Sequence, residues 1–237
     1  MKHFTAATLA LLGATTLTSC VLTGRLHTES LEQTLGGARE AHVTIAASVA
    51  ELSVEAVRSP AMLLEGTADI PDRSRIDKDF RLVGGTAYLS YRERGHGGPV
   101  VVPVRNTTPR WEIGLSRDVP LDLELKTGFG ESNIDLSDLQ VRSLEVSAGV
   151  GEADITMPAR GSIEARVQSG VGEVTVHVPR GMAVRVRGKT GLGDLHVSGR
   201  DMNVNDGEYR SRDYDDASNR LDLYVKAGIG QVDVILD

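Results

Sequence analysis

The chain has 237 residues, with 33 Asp and Glu against 26 Lys and Arg, and a formal net charge of −7. This acidic balance argues against nonspecific binding to nucleic acid or anionic lipid. Only 4% of the residues are aromatic, whereas glycine occurs 26 times, a composition that favours repeated β turns over a thick globular core. Cys20 is the only cysteine, so no intramolecular disulfide can form.

Residues 1–19 have the layout of a secretory signal. A single positive charge at Lys2 precedes the uncharged stretch from Phe4 to Leu17, which is too short to span a bilayer. The stretch ends in Leu17-Thr18-Ser19-Cys20, a sequence typical of a bacterial lipobox. We therefore predict that the Cys20 thiol carries a diacylglycerol through a thioether, that the chain is cleaved before Cys20 and that the new amino terminus is acylated, with palmitate among the acyl chains. The protein is then extracytoplasmic and membrane-anchored. Val21, in place of Asp, favours the outer membrane if the cell has two membranes.

The polar composition of residues 20–41 predicts a tether behind the lipidated cysteine, with a short helix around Ser30–Leu35 as an alternative. Residues 42–122 are predicted to form an irregular N-terminal β region. Strand-like runs there cover Met62–Ala68, Thr86–Tyr91, Val100–Val104 and Trp111–Leu115.

Residues 123–237 form a region of internal β repeats. Paired glycines recur at a step of 21 residues, and a last pair follows 37 residues later, which implies an insertion near residues 200–215. The pairs are Gly128 and Gly130, Gly149 and Gly151, Gly170 and Gly172, Gly191 and Gly193, and Gly228 and Gly230. Ser48-x-Ala50 occupies the same place in an earlier copy.

Apolar and polar residues alternate with period two on both sides of each glycine pair, as in Leu144-x-Val146 and Ile155-x-Met157. This pattern marks strands with one buried face. Each repeat therefore predicts strand, glycine bend, strand and turn. Stacked repeats give an all-β fold, a β-solenoid-like stack of 21-residue two-strand repeats. The alternative is a β-sandwich of hairpins built from the same strands.

A column of acidic residues follows the glycine pairs, because Glu131, Glu152, Glu173 and Asp194 each come directly after the second glycine. Stacking in register would place these carboxylates about 4.8 Å apart. Such oxygen ligands suit Ca²⁺, but a solvated edge is favoured, and we predict no metal and no cofactor. The segment from Asp201 to Gly207 has some features of a Ca²⁺ loop, although an ordinary polar loop is favoured there as well.

Catalytic motifs are not found. The Gly-x-Gly pairs lack the third glycine and the βαβ context of a dinucleotide site. No HExxH or GxSxG occurs, and His177 and His196, expected on neighbouring repeats, have no clear third metal ligand. The sequence therefore predicts a protein that is not an enzyme.

Several motifs resemble the toast-rack domain of LiaF-like envelope-stress proteins and the related putative-adhesin β-strand repeats. They are Leu64-x-Gly66, Trp111-x-Ile113-x-Leu115, Val119-Pro120-Leu121 and, late in the chain, Tyr214-Asp215-Asp216-Ala217. The resemblance covers residues 40–237 and implies a β-solenoid-like stack that serves in sensing cell-wall stress or in surface adhesion. Many LiaF-like proteins have transmembrane helices, whereas this chain has a lipobox.

We predict a noncatalytic, membrane-anchored lipoprotein of the bacterial envelope that acts as an adhesin-like binding or scaffold module. The alternative is an envelope-stress signalling module of LiaF-like type that acts through a membrane partner. The predicted partners are the lipid bilayer, through acylated Cys20, and an envelope protein or glycan. Nucleic acid is not an expected partner, and self-association through the ends of the stack is a further alternative.

Overall fold

The computed structural model of the chain describes residues 25–57, 59–95, 108–199 and 202–237. These residues form strands and turns without a helix, so none of the described segments is a helix long and apolar enough to cross a membrane. The strands lie in a nine-stranded and a ten-stranded sheet, and their inward side chains form one apolar core. The all-β class is confirmed.

The body of the molecule is a stack of rungs. Each rung contains one strand of the ten-stranded sheet and one strand of the nine-stranded sheet. A short bend joins the two strands, except between β6 and β7, where residues 96–107 lie outside the described residues. The rungs are β2 (Glu40–Val49) with β3 (Glu51–Ala56), β6 (Thr86–Gly95) with β7 (Arg110–Leu115), β8 (Leu121–Phe129) with β9 (Ser132–Asp135), β10 (Val141–Val150) with β11 (Ala153–Thr156), β12 (Ser162–Val171) with β13 (Val174–Val178), β14 (Ala183–Leu192) with β15 (Leu195–Ser198), and β18 (Arg220–Ile229) with β19 (Val232–Leu236). The remaining strands are β1 (Leu26–Thr34), β4 (Met62–Pro71), β5 (Ser74–Val83), β16 (Asn203–Asn205) and β17 (Glu208–Arg210).

Neighbouring rungs pair in parallel and in register. Val146 of β10, for example, lies between Leu125 of β8 and Val167 of β12, and all three side chains are buried. Because like positions align, each apolar residue of the period-two pattern contacts its counterpart on the next rung. A sandwich of hairpins would instead pair its strands antiparallel, so the solenoid-like stack is confirmed.

The order of the rungs in space differs from their order in the chain. The strand order in the ten-stranded sheet is β16-β17-β14-β18-β12-β10-β8-β2-β6-β5. The last rung of the chain, β18–β19, is therefore inserted between β12–β13 and β14–β15. At the other end, β6–β7 lies outside β2–β3. At both ends, therefore, two rungs have exchanged the places that the order of the chain would give them.

Antiparallel strands extend both ends of the stack. At one end, β4 and β1 continue the nine-stranded sheet beyond β7, and β5 continues the other sheet beyond β6. The Tyr91 hydroxyl of β6 donates to the Glu32 carbonyl of β1 at 3.0 Å, which joins the two sheets there. At the other end, β17 and β16 extend the ten-stranded sheet beyond β14.

The prediction of a polar tether over residues 20–41, and of a helix near Ser30–Leu35, is wrong where the structure describes that segment. Residues 26–34 form strand β1, and β2 begins at Glu40. Leu31 is the only buried side chain of β1, so the apolar alternation that marks a strand is weak. The strand forms because its backbone pairs with β4 along its length.

Within residues 42–122, the strand-like runs at Met62–Ala68, Thr86–Tyr91 and Trp111–Leu115 are confirmed as parts of β4, β6 and β7. The run at Val100–Val104 lies outside the described residues. Trp111 is fully buried in the core.

Candidate functional site at the glycine edge

The rungs bend along one edge of the stack, which we call the glycine edge. The second glycine of each pair has a positive φ, for example +139° at Gly151 and +137° at Gly172, a conformation that L side chains rarely adopt. A Cβ on Gly151 would also overlap the carbonyl oxygen of Gly130 on the adjacent rung. Glycine is required here both by the backbone angle and by the close approach of the next rung.

Each bend has the same three-residue arrangement. The residue between the glycines is a large, exposed apolar side chain, and the residue after the second glycine is polar. We call the exposed apolar residues the apolar stripe: Phe129, Val150, Val171, Ile229 and Leu192, which are 53%, 41%, 43%, 50% and 69% exposed. They occupy paired positions in the ladder, one on each successive rung.

The carboxylate column does not have the predicted neighbours. Glu131, Glu152 and Glu173 lie on consecutive rungs, as their aligned backbone bonds show. Gln231 follows Glu173, because β19 lies between β13 and β15, and Asp194 comes only after it. An amide therefore separates Asp194 from the other carboxylates.

A shallow open depression lies beside this column, lined in part by Glu51, Glu112, Glu131, Glu152 and Asp154. Arg110 also lines it and donates two hydrogen bonds to Glu51, at 2.7 and 3.1 Å. These bonds raise the pKa of the Arg110 guanidinium. Among the described residues, no group of three or more His, Cys, Asp or Glu side chains is arranged to hold a metal ion.

The two sheets differ in charge. In the described strands of the nine-stranded sheet, Arg110 is the only Lys or Arg, and every other Lys or Arg within a described strand belongs to the ten-stranded sheet. We call the outer surface of the nine-stranded sheet the acidic face. Acidic residues of its strands include Glu51, Glu55, Glu65, Asp69, Glu112, Asp135, Asp154 and Asp233.

The ten-stranded sheet compensates its charges locally. Asp222 of β18 accepts hydrogen bonds from Arg185 and Arg187 of β14. Burial opposes ionisation of Asp222, but these two hydrogen bonds outweigh it and hold the pKa of the carboxyl below its ordinary value. The Arg166 guanidinium lies 5.2 Å from the centre of the Tyr224 ring.

The histidines are not on neighbouring rungs. His177 of β13 and His196 of β15 are separated by β19, where they pair with Ile235 and Asp233. His177 lies 3.5 Å from Asp154, measured from Nε2 to Oδ2. Cys20, the predicted lipidation site, lies outside the described residues.

Two family models match this stack of rungs. Residues 23–177 match the family described as the N-terminal domain of toast_rack, and residues 129–234 match the family described as cell wall-active antibiotics response LiaF, C-terminal. The first match covers more than half of the chain, which therefore belongs to the toast-rack family.

A solved structure shows the same fold. The crystal structure of a putative cell adhesion protein from Clostridium sporogenes ATCC 15579 covers 90% of this chain and 100% of its own, with a TM-score of 0.80 and 21% identity. A putative adhesin from Bacteroides fragilis NCTC 9343 matches 89% of this chain and 97% of its own, at 13% identity and with a TM-score of 0.26. No curated protein matches the chain.

These comparisons place the chain in a class. It is an envelope-associated, extracytoplasmic module of toast-rack type, and neither matching family is one of known enzymes.

Proposed function

We propose that the chain is a membrane-anchored lipoprotein of the bacterial envelope that acts as a noncatalytic, adhesin-like binding or scaffold module. Acylated Cys20 would hold it to the bilayer, and the stack would present its acidic face to a partner. Several acyl chains give stable anchoring, whereas one chain binds only marginally.

The observation that carries this proposal is the charge of the acidic face. Strand after strand of the nine-stranded sheet presents carboxylates, and Arg110 is the only Lys or Arg within its described strands. A surface of one sign attracts partners of the opposite sign and sets their rate of encounter. The partner we expect is therefore a basic segment of an envelope protein or an amine-bearing glycan.

Crosslinking in intact cells, followed by purification of the protein from the membrane fraction, tests the proposal. A double variant of exposed residues on the acidic face, Glu112→Gln with Asp154→Asn, should lose the crosslinked partner, because it removes two charges and leaves the buried side chains of β7 and β11 unchanged. The matched control is Glu145→Gln with Glu164→Gln, which removes charge from the ten-stranded sheet and should keep the partner. Equal capture by both variants would contradict a role for the acidic face.

The anchor has a separate test. Cys20→Ala should release the protein from the membrane fraction, and the wild-type protein should have an acyl mass on Cys20. A wild-type protein without that mass would contradict the lipoprotein proposal.

A signalling module is the second candidate, favoured by the match of residues 129–234 to the LiaF C-terminal family. In that case the crosslinked partner would be a membrane sensor kinase. A ladder of crosslinked copies of the chain alone would instead favour self-association through the ends of the stack.

A further inference from the structure

The apolar stripe is an unusual feature for an exposed edge. Its side chains form one line along the glycine edge, since each pairs in register with the next rung. With strands about 4.8 Å apart, the line from Phe129 to Leu192 is roughly 19 Å long. Contiguous exposed apolar surface of this kind marks an interaction site more often than single exposed residues do.

The glycines make this line accessible. The positions before and after each stripe residue are glycines on these rungs, for example Gly170 and Gly172 around Val171. Each stripe residue therefore has no side chain directly before or after it in its own strand, and it projects above the surrounding backbone. A flat apolar ridge of this form fits a planar surface better than it fits a small ligand, which needs a concave pocket.

Lysines lie beside the stripe on the side of the ten-stranded sheet, with Ser147 and Gln168 on the two rungs between Lys126 and Lys226. Lys126, Lys226 and Lys189 each precede a stripe residue by three positions. Lys226 and Lys189 are exposed and pair directly across β18 and β14. Neither has an ion pair among the described residues, whereas Lys126 contacts Glu124. This positive charge is local and opposite in sign to the net charge of the chain.

The described chain begins at the same edge. Strand β7 starts at the glycine edge. Its first residue, Arg110, pairs with Glu51, and Glu51 is the first residue after the bend between β2 and β3. Strand β4 runs antiparallel to β7 and ends at this edge with Pro71, which pairs with Leu26 of β1. The Asp72 amide donates to the Arg25 carbonyl at 3.0 Å and fixes the chain there. Cys20 is five residues before Arg25, a reach of at most about 18 Å.

We propose that the glycine edge is the surface by which this domain rests on the bilayer that holds its anchor. The apolar stripe would enter the interface between headgroups and acyl chains, and Lys189 and Lys226 would contact anionic headgroups. Those headgroups would repel the carboxylate column, which lies on the other side of the stripe. The domain would therefore tilt so that its lysine side faces the bilayer. This inference rests on the proposed anchoring at Cys20.

A single thiol probe tests the contact. The thioether to diacylglycerol occupies the thiol of Cys20, so one introduced cysteine can be labelled alone with a polarity-sensitive fluorophore. The probe positions are Val171→Cys and Ile229→Cys, on the stripe. The matched control is Val83→Cys, which is 62% exposed but lies at the opposite edge, where β5 turns into β6. The acylated full-length protein is reconstituted into vesicles of phosphatidylethanolamine and phosphatidylglycerol.

We expect the stripe probes to shift to shorter emission wavelengths and to lose emission when the lipids carry a nitroxide quencher. The control probe should do neither. Lys189→Gln with Lys226→Gln should reduce the quenching. Stripe probes with water-like emission would overturn the inference, and so would a blue shift without lipid quenching, which would indicate coverage by protein.

The two proposals fail separately. An acyl mass on Cys20 together with water-like stripe probes would overturn the bilayer contact and leave the anchor intact. If Cys20 carries no acyl mass, the same probes are placed in the Cys20→Ala chain, which leaves a single thiol. A stripe probe that is still quenched by nitroxide lipids would then overturn the anchor and support the contact.

Discussion

The middle and the ends of the stack are built differently. In the middle, the rungs β8–β9, β10–β11 and β12–β13 follow each other both in the chain and in space, at a constant step of 21 residues. At each end, the two outermost rungs are exchanged relative to their order in the chain: β14–β15 lies outside β18–β19, and β6–β7 lies outside β2–β3. In the chain, strands that extend the sheets lie between the two exchanged rungs. A constant step therefore marks sequential stacking, and a break in the step marks a reversal of order.

This exchange has a physical consequence for the ends. At one end the terminal rung β14–β15 and the extending strands β16 and β17 come first in the chain, and the final rung β18–β19 is then placed inside β14–β15. At the other end the inner rung β2–β3 comes first, and β4, β5 and the outer rung β6–β7 follow. The end of a solenoid offers unpaired backbone groups to other chains. Here β17 and β16 cover the edge of β14 in the ten-stranded sheet, and β4 and β1 cover the edge of β7.

The largest effect is expected in the middle, at the glycine edge. Gly151→Val places a side chain at φ +139° and against the carbonyl of Gly130, so we expect a loss of at least about 4 kcal/mol in the free energy of unfolding. Urea unfolding followed by circular dichroism measures it. Gly207→Ala, at the end, has positive φ but open space around the new Cβ, and should cost about 1–2 kcal/mol. Equal losses would remove the distinction between middle and end.

A core truncation in the inserted rung sharpens the comparison. Leu223 of β18 is fully buried and pairs with Ala165 of β12 and Val186 of β14. Leu223→Ala should cost about 2–5 kcal/mol. Hydrogen exchange should show lost protection in β14 together with β18, because within the ten-stranded sheet β18 is the strand that joins β14 to β12 and the rungs beyond it. Protection retained in β14 would contradict the inserted position.

The Asp222 cluster predicts a smaller, pH-dependent effect. Asp222→Asn should lower the free energy of unfolding by about 1–3 kcal/mol near neutral pH. The folded pKa of Asp222 is depressed, so this contribution is present above the unfolded value of about 3.9 and is lost as pH falls through the folded pKa. Urea unfolding of both proteins from pH 6 to lower pH should show the difference shrinking below about pH 4. A difference independent of pH would contradict the role of the carboxylate.

The smallest effect is expected at an exposed position of the end. Val83→Ser should change the free energy of unfolding by less than about 0.5 kcal/mol, since the side chain is 62% exposed. The same urea titration detects a larger change, which would show that β5 is packed more tightly than its exposure indicates.

The middle of the fold could be predicted from sequence because its signals are local. The glycine spacing and the alternation around Val146 and Val167 place each strand and its inward residues. The order at the ends could not be predicted, because parallel rungs have interchangeable apolar faces and the 37-residue step gives no neighbour for the last strand. Because the rungs were expected to follow the order of the chain, Asp194 was also expected next to Glu173, although Gln231 lies between them.

Two hairpins were predictable but missed. Gly84-Gly85 joins β5 to β6, and Asp206-Gly207 joins β16 to β17, with positive φ at each of these residues. Such two-residue turns are a strong hairpin signal. The second was interpreted instead as a polar loop with some features of a Ca²⁺ site. Lipidation of Cys20 stays a prediction.

The inserted position of the last rung is the central claim, and paired cysteines test it most directly. In the full-length Cys20→Ala chain, Gln168→Cys is combined with either Lys226→Cys or Lys189→Cys, and the protein is oxidised under native conditions. Adjacent strands lie about 4.8 Å apart, whereas strands one further away lie about 9.6 Å apart, beyond the reach of a disulfide. The structure predicts that Gln168→Cys crosslinks to Lys226→Cys and not to Lys189→Cys. The reverse result would restore the order of the chain and contradict the account.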